Sequence, residues 1–289
     1  MCATCGCGGD GGAVITGPRE HDQRGDHDHV HDHGSDADGH THGDHAGGDD
    51  HPHDHAHAHP ATETVILEQK VLAKNDELAQ RNRRWFAERD ILALNLTSSP
   101  GAGKTTLLER TIRDCADIPI GVVEGDQETL LDARRIEATG CRVVQINTGA
   151  GCHLDAEMTR RALDSLDPAT GSVVFIENVG NLVCPALFDL GEQAKVVIIS
   201  VTEGTDKPLK YPHMFAAAGL VLINKIDLLP YVDFDLDACV RHARTINAGV
   251  PVLALSATTG EGLGDWYDWL SRRHNLITGS SIEVRVTQA

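Results

Sequence analysis

Gly101-Ala102-Gly103-Lys104-Thr105-Thr106 sets two glycines ahead of a lysine and a threonine, a spacing suited to holding phosphate. The glycines let the backbone wrap close to an anion, with successive N–H groups turned inward. Lys104 then reaches the β- and γ-phosphates of a nucleotide, and Thr105 can ligate Mg²⁺. Ser98 stands where the pattern G-x-x-x-x-G-K-S/T has its first glycine, which leaves that physics intact. Downstream, Glu177-Asn178-Val179-Gly180 ends an apolar run with an acid that can face Mg²⁺ and a glycine that can meet the γ-phosphate. Glu124-Gly125-Asp126 supplies another acid, and Asp126 is assigned either to Mg²⁺ or to the attacking water. Asn224-Lys225-Ile226-Asp227 and Ser256-Ala257 follow two further apolar runs. An Asp227 carboxylate can accept two N–H donors from guanine that adenine does not offer, so GTP is the expected nucleotide. Lys104, Asp126 and Glu177 are the catalytic candidates. No Gln closely follows Gly180, where Asn181-Leu182 stand, so hydrolysis is expected to be slow without help.

A second set of residues suits transition metals. Cys152-His153 and Cys184-Pro185 offer two thiolates and an imidazole, ligands for Zn²⁺, Ni²⁺, Cu or Fe. Two Cys and one His leave a tetrahedron incomplete, to be closed by water or by a second subunit. Cys184 lies four residues past Gly180, so the phosphate state could reshape this site directly. Cys2, Cys5 and Cys7 crowd three thiols into six positions, as metal ligands or as a redox site. Cys115, Cys141 and Cys239 fall on or beside regular elements and read as structural.

The elements that must position these groups alternate. Continuous apolar runs at 91–97, 118–123, 143–146, 173–176, 195–201, 220–223 and 251–255 read as strands covered on both faces. Helical patterns at 104–115, 128–138, 154–166, 208–218, 236–246 and 262–273 fill the gaps. The expected fold is α/β: a mainly parallel, doubly wound sheet of about seven strands with helices on both faces. Ligands then gather at the carboxyl ends of the strands. A leading helix over 62–90 is predicted from Val71, Leu78 and Trp85 repeating at seven. The domain reading is a cysteine motif at 1–7, a linker at 8–61, a nucleotide-binding domain at 62–273 and a tail at 274–289.

Composition separates the linker from the rest. Residues 1–60 hold 13 of the 17 His, 12 of the 43 acids, 2 of the 25 basic residues and 12 of the 29 Gly. Such a tract has too few apolar residues to bury a core, so no stable fold is expected over 8–60. Its imidazoles can buffer metal ions loosely, or the tract can be a solvated spacer. A net charge of −18 argues against non-specific nucleic-acid binding. No apolar run approaches the ~20 residues of a membrane span. The first thirty residues are polar and acidic, unlike a secretory signal, so a cytoplasmic location is expected.

The residues themselves reach a transition-metal GTPase. The chain also closely resembles the HypB family of nickel-incorporation GTPases in nickel–iron hydrogenase maturation, P-loop proteins of the SIMIBI class. The resemblance rests on Cys2-x-x-Cys5-Gly6-Cys7, the His-rich linker, the loop from Ser99 to Thr106 and Glu124-Gly125-Asp126. It rests further on Asn147-Thr148-Gly149-x-Gly151-Cys152-His153-Leu154-Asp155, the run from Glu177 to Pro185, Lys207-Pro208-Leu209-Lys210-Tyr211-Pro212 and Asn224-Lys225-Ile226-Asp227-Leu228. It implies a GTP-dependent homodimer in which Cys152, His153 and Cys184 of both subunits bind Ni²⁺ or Zn²⁺. It implies hydrolysis-triggered nickel transfer with a HypA-type metallochaperone to the hydrogenase large-subunit precursor. Two other readings stay open: a urease-type nickel maturation GTPase, whose Cys-Pro-His motif differs from Cys184-Pro185-Ala186, and a nickel-storage protein whose nucleotide site is regulatory.

Overall fold

The computed structural model describes residues 14–16, 60–127 and 129–280. Cys2, Cys5, Cys7, almost all of the His-rich linker and the tail beyond residue 280 lie outside the described residues. The chain divides into two compact units. In the unit spanning residues 19–68, the described part is the opening of helix α1 (Pro60–Ala87). The other unit, residues 1–18 and 69–289, holds the remaining described elements.

In chain order these are β1 (Val14–Thr16), the rest of α1, β2 (Leu92–Ser98), α2 (Lys104–Asp114), β3 (Ile120–Asp126), α3 (Leu131–Glu137), β4 (Arg142–Asn147) and α4 (Ala156–Leu166). There follow β5 (Val173–Glu177), α5 (Cys184–Leu187), β6 (Ala194–Ser200), α6 (Lys207–Lys210), α7 (Pro212–Ala216), β7 (Leu220–Asn224), α8 (Leu236–Ile246), β8 (Val252–Ala254) and α9 (Leu263–Thr278). Among the described residues one sheet runs β1-β4-β3-β5-β2-β6-β7-β8. Every neighbouring pair is parallel except β1 with β4. The chain leaves β2 for β3 and β4 on one side, returns to β5, and continues through β6 to β8 on the other. That reversal opens a crevice at the carboxyl end of β2, where such sheets take ligands.

β2, β5, β6 and β7 are buried along their whole length. Alternate residues therefore feed different cores. Leu92, Leu94 and Leu96 pack with Leu107, Leu108, Trp266 and Leu270 on one face. Ala93 joins Phe86, Ile91, Leu163 and Leu166 on the other. Cys115 lies in the first of these cores and Cys239 in a third, with Val221 and Ile223, and burial pushes both thiols up to about 12, as befits structural cysteines.

Several expected boundaries are corrected. β1 falls in the stretch expected to lack stable fold, and it is held by antiparallel pairing of Val14 with Asn147 rather than by a core of its own. The helix expected at 208–218 is two short helices, because Pro212 has no N–H to donate and its ring crowds the preceding turn. α3 starts at Leu131 because the Asp126 carboxylate takes the N–H groups of Gln127 and Thr129. α4 starts at Ala156, with Asp155 as N-cap accepting from the Met158 N–H at 2.7 Å. α9 runs on to Thr278 and stops at Gly279, which has φ 67°, so the boundary drawn at 273 falls inside a helix.

α1 is fastened by buried amides. The Asn82 side chain donates to Ala156 O at 2.8 Å and Leu190 O at 3.0 Å, and it is 1% exposed. Asn82→Ala removes a buried donor shared by two carbonyls and is expected to cost about 1–3 kcal/mol. A thermal midpoint followed by circular dichroism, unchanged in the variant, would show that α1 docks by other means.

Candidate functional site

β2 delivers the chain at Ser98 to a tight loop, and α2 takes it up at Lys104. Gly101 and Gly103 have φ 73° and 98°, backbone that favours glycine. Gly103 also has no room for a side chain, since a Cβ there would lie 2.5 Å from Asn224 Nδ2. Ser98 has a use of its own: its hydroxyl accepts from Lys104 Nζ at 2.9 Å, folding the lysine back over the loop. From β7, Asn224 Nδ2 donates to Ala102 O at 2.9 Å and Lys225 Nζ to Gly101 O at 2.7 Å. Asn224 Oδ1 accepts from the Lys225 and Ala257 N–H groups, so one side chain joins the phosphate loop to the Ser256-Ala257 loop.

A cavity of about 450 Å³ lies over this loop. Of the predicted residues it is lined by Gly101, Gly103, Lys104, Thr105, Thr106, Asp126, Glu177, Gly180 and Lys225. Ala102 instead turns its methyl into the core, while Asn224, Asp227, Ser256 and Ala257 sit at the ends of β7 and β8 without lining the cavity. Asp227 lies in the first turn of a 3-10 helix, Ile226–Tyr231, and its Oδ1 is buried without a hydrogen-bond partner.

Glu177 accepts from Thr105 Oγ1 at 2.8 Å. Its register partner across β3 and β5 is Glu124. Each has a buried Oε2 with no hydrogen-bond partner. Burial pushes the Glu124 carboxyl up to about 9, helped by Glu177 and Asp126. Burial also raises Glu177, and Lys104 and Thr105 offset only part of that. Two orphaned carboxylate oxygens beside a threonine hydroxyl form an all-oxygen donor set, which fits a hard divalent cation such as Mg²⁺. Asp126 lines the same cavity, but its carboxylate caps a turn: Oδ1 accepts from the Gln127 N–H, Oδ2 from Thr129 N–H and Oγ1. Burial would raise it, yet these bonds together hold it below its ordinary value.

Sequence reasoning gave no role to three of the charged residues lining the cavity, Glu124, Asp132 and Arg135. Glu124 was legible as the first acid of Glu124-Gly125-Asp126. Asp132 and Arg135 carried no signal, since charges on a short helix usually mark a solvated face. Arg135 bonds Glu109 Oε2 at 2.6 Å and Asp132 Oδ1 at 3.2 Å.

The cysteine and histidine residues from 152 to 184 do come together. Ligand atoms of Cys152, His153 and Cys184 all lie within 4.8 Å of one another. The Cys152 thiol donates to Cys184 Sγ at 2.9 Å, and His153 Nδ1 is 3.6 Å from Cys152 Sγ. The imidazole lies against Phe188, with centroids 3.9 Å apart. Burial lowers the His153 pKa against a weaker pull from Asp155, favouring the neutral form that binds metals. Two thiols and an imidazole at this spacing can grip one borderline cation and leave a position open. The link to the phosphate loop is physical: a Cβ on Gly180 would sit 3.1 Å from Pro100 Cα, so these backbones touch.

Residues 92–254 match the nucleotide-binding domain described as CobW/HypB/UreG. The hydrogenase maturation factor HypB of Azotobacter chroococcum is 54% identical over 226 residues, covering 78% of this chain and 74% of that protein. HypB of Escherichia coli K12 is 57% identical over 205 residues, 71% of each chain. The crystal structure of Helicobacter pylori HypB in complex with nickel aligns at a TM-score of 0.67 and 36% identity, covering 73% of this chain and 99% of that one. With its phosphate loop, its run from Glu177 to Cys184 and these likenesses, the chain belongs to the HypB family of nucleotide-binding P-loop GTPases.

Proposed function

We propose that the chain is a GTP-hydrolysing nickel metallochaperone that binds, stores and delivers Ni²⁺ for insertion into nickel–iron hydrogenase. The observation that carries this reading is the continuity of one short segment, with Glu177 at the nucleotide cavity and Cys184 among the soft ligands. The naming of its relatives as hydrogenase maturation factors, and nickel in the Helicobacter pylori relative, support the cargo.

In this reading the N–H groups of residues 101–106 and the Lys104 ammonium hold the phosphates. Lys104 has only to leave Ser98 to do so. Thr105 and Glu177 would hold Mg²⁺, which would neutralise phosphate charge, and Asp126 would face that cation or the attacking water. Gly180 meets the γ-phosphate by its backbone. Asn224, Lys225 and Asp227 read the guanine, with Ser256 and Ala257 closing over it. No glutamine closely follows Gly180 to orient water, so intrinsic turnover is slow. A GTP-dependent homodimer brings two sets of Cys152, His153 and Cys184 together around Ni²⁺ or Zn²⁺, and hydrolysis releases the order that binding imposed. Cys2, Cys5 and Cys7 and the His-rich linker form a separate store in the cytoplasm. The HypA-type metallochaperone and the hydrogenase large-subunit precursor are the partners.

Metal-loaded protein with GTP should convert purified precursor to active hydrogenase. If Lys104→Ala protein did so equally well, hydrolysis-driven transfer would be sunk and the storage reading favoured. Cys184→Ser is expected to weaken Ni²⁺ at the inner site by about 100-fold or more, since a thiolate is the softest donor offered. Calorimetric titration against Cys2→Ala, Cys152→Ala and Cys184→Ser checks this. One class of sites with unchanged affinity throughout would refute the two-site scheme.

A further inference from the structure

Asn181 directly follows Gly180, yet its side chain does not line the nucleotide cavity. Its side chain turns the other way. Nδ2 donates to Cys152 O at 3.2 Å, and Oδ1 accepts from the Val183 N–H at 2.8 Å. One amide thus braces the backbone of Cys152 against the residue that precedes Cys184. On its own chain Asn181 is bonded directly to Gly180, whose backbone packs on Pro100 of the phosphate loop.

The surroundings of this amide are fixed. Asn178 is 1% exposed, and its N–H donates to Leu96 O on β2 at 3.0 Å. Its Nδ2 donates to Asn95 Oδ1 at 3.3 Å, and its Oδ1 accepts from the Leu154 N–H at 3.1 Å. Leu154, just after His153, is therefore pinned to the sheet. α5 is pinned as well: Lys195 on β6, 7% exposed, donates to Pro185 O at 2.7 Å and Phe188 O at 3.3 Å. Cys152 is the ligand whose carbonyl is held from the far side of Gly180. A shift of Gly180 toward or away from a γ-phosphate would carry Asn181 with it, and Asn181 would draw on Cys152 while Leu154 and α5 stay tied to the sheet.

We propose that Asn181 is the positioning residue that passes nucleotide state to the metal ligands, by its bond from Nδ2 to the Cys152 carbonyl. This rests on the reading of the chain as a nucleotide-coupled metal carrier and names the side chain that does the coupling. A merely structural role would change metal affinity equally in both nucleotide states. A coupling role changes the ratio between them.

The test uses the full chain with Ni²⁺ as the probe, followed at its thiolate charge-transfer absorption, with Cys184→Ser protein as the reference that subtracts other sites. Affinity is measured with GDP and with a non-hydrolysable GTP analogue, both with Mg²⁺. The parent is expected to show a ratio of about tenfold or more. Asn181→Asp keeps the acceptor for Val183 but loses the donor to Cys152, and should collapse the ratio to within about twofold. Asn181→Ala, which adds no charge, should do the same. A parent ratio that survives in both variants overturns this inference alone. A parent with no ratio overturns it together with the nucleotide-coupled reading.

Discussion

Lys104→Ala protein is expected to hydrolyse GTP about 10²–10³-fold more slowly than the parent. Lys104 is 9% exposed and its ammonium rests on Ser98 Oγ. A charge stored in so dry a site acts on phosphate with little screening. Its removal has a second consequence. Lys104 is the largest influence holding the Glu177 pKa down against burial, and it also acts on Glu124. Without it both carboxyls stay more fully protonated, so the oxygens offered to Mg²⁺ are poorer ligands. Lys104→Arg should not rescue, because a planar guanidinium cannot fit the pocket between Ser98 and the loop as a point charge does. Single-turnover hydrolysis at saturating Mg²⁺ measures the effect. A rate within about threefold of the parent would mean that phosphate charge is met elsewhere, with Arg135 and Lys225 the other cations lining the cavity.

What the sequence made legible was whatever a single strand and its next loop determine. The buried runs of β2, β5, β6 and β7 read directly as strands covered on both faces, and β2, β5 and β7 carry their chemistry at their carboxyl ends. Cys184 could be tied to Gly180 because the two are neighbours on the chain. Contacts set by register were not legible. Nothing along the chain places Glu124 beside Glu177, a pairing that exists only because β3 lies against β5. β1 was missed for the same reason: three residues in a Gly-rich stretch become a strand only because β4 offers an edge. Asn178 and Asn181 look alike in Glu177-Asn178-Val179-Gly180-Asn181, yet one is tied to the sheet and the other to Cys152. Amide side chains carry no charge or periodicity that would announce such partners.

Asp227→Asn is expected to lower kcat/KM for GTP by about 10³-fold or more and to create activity on xanthosine triphosphate. Guanine presents N1–H and an exocyclic amine to this position, two donors for two carboxylate oxygens. Asp227 Oδ1 is already buried without a partner, so its desolvation is largely met before the base arrives and the base recovers it. An asparagine offers one acceptor and one donor, and its amine would face the guanine amine. Xanthine replaces that amine with a carbonyl and keeps N1–H, which matches the amide at both positions. The substitution is close to isosteric and sits in a short 3-10 turn held by its own backbone, with the Leu228 N–H donating to Lys225 O at 2.9 Å. The phosphate end of the site is untouched, so the change should appear mostly in KM. Steady-state hydrolysis of both nucleotides by parent and variant decides it. Equal loss on both, or no loss on GTP, would remove Asp227 from base recognition and leave the buried oxygen at 227 without a function.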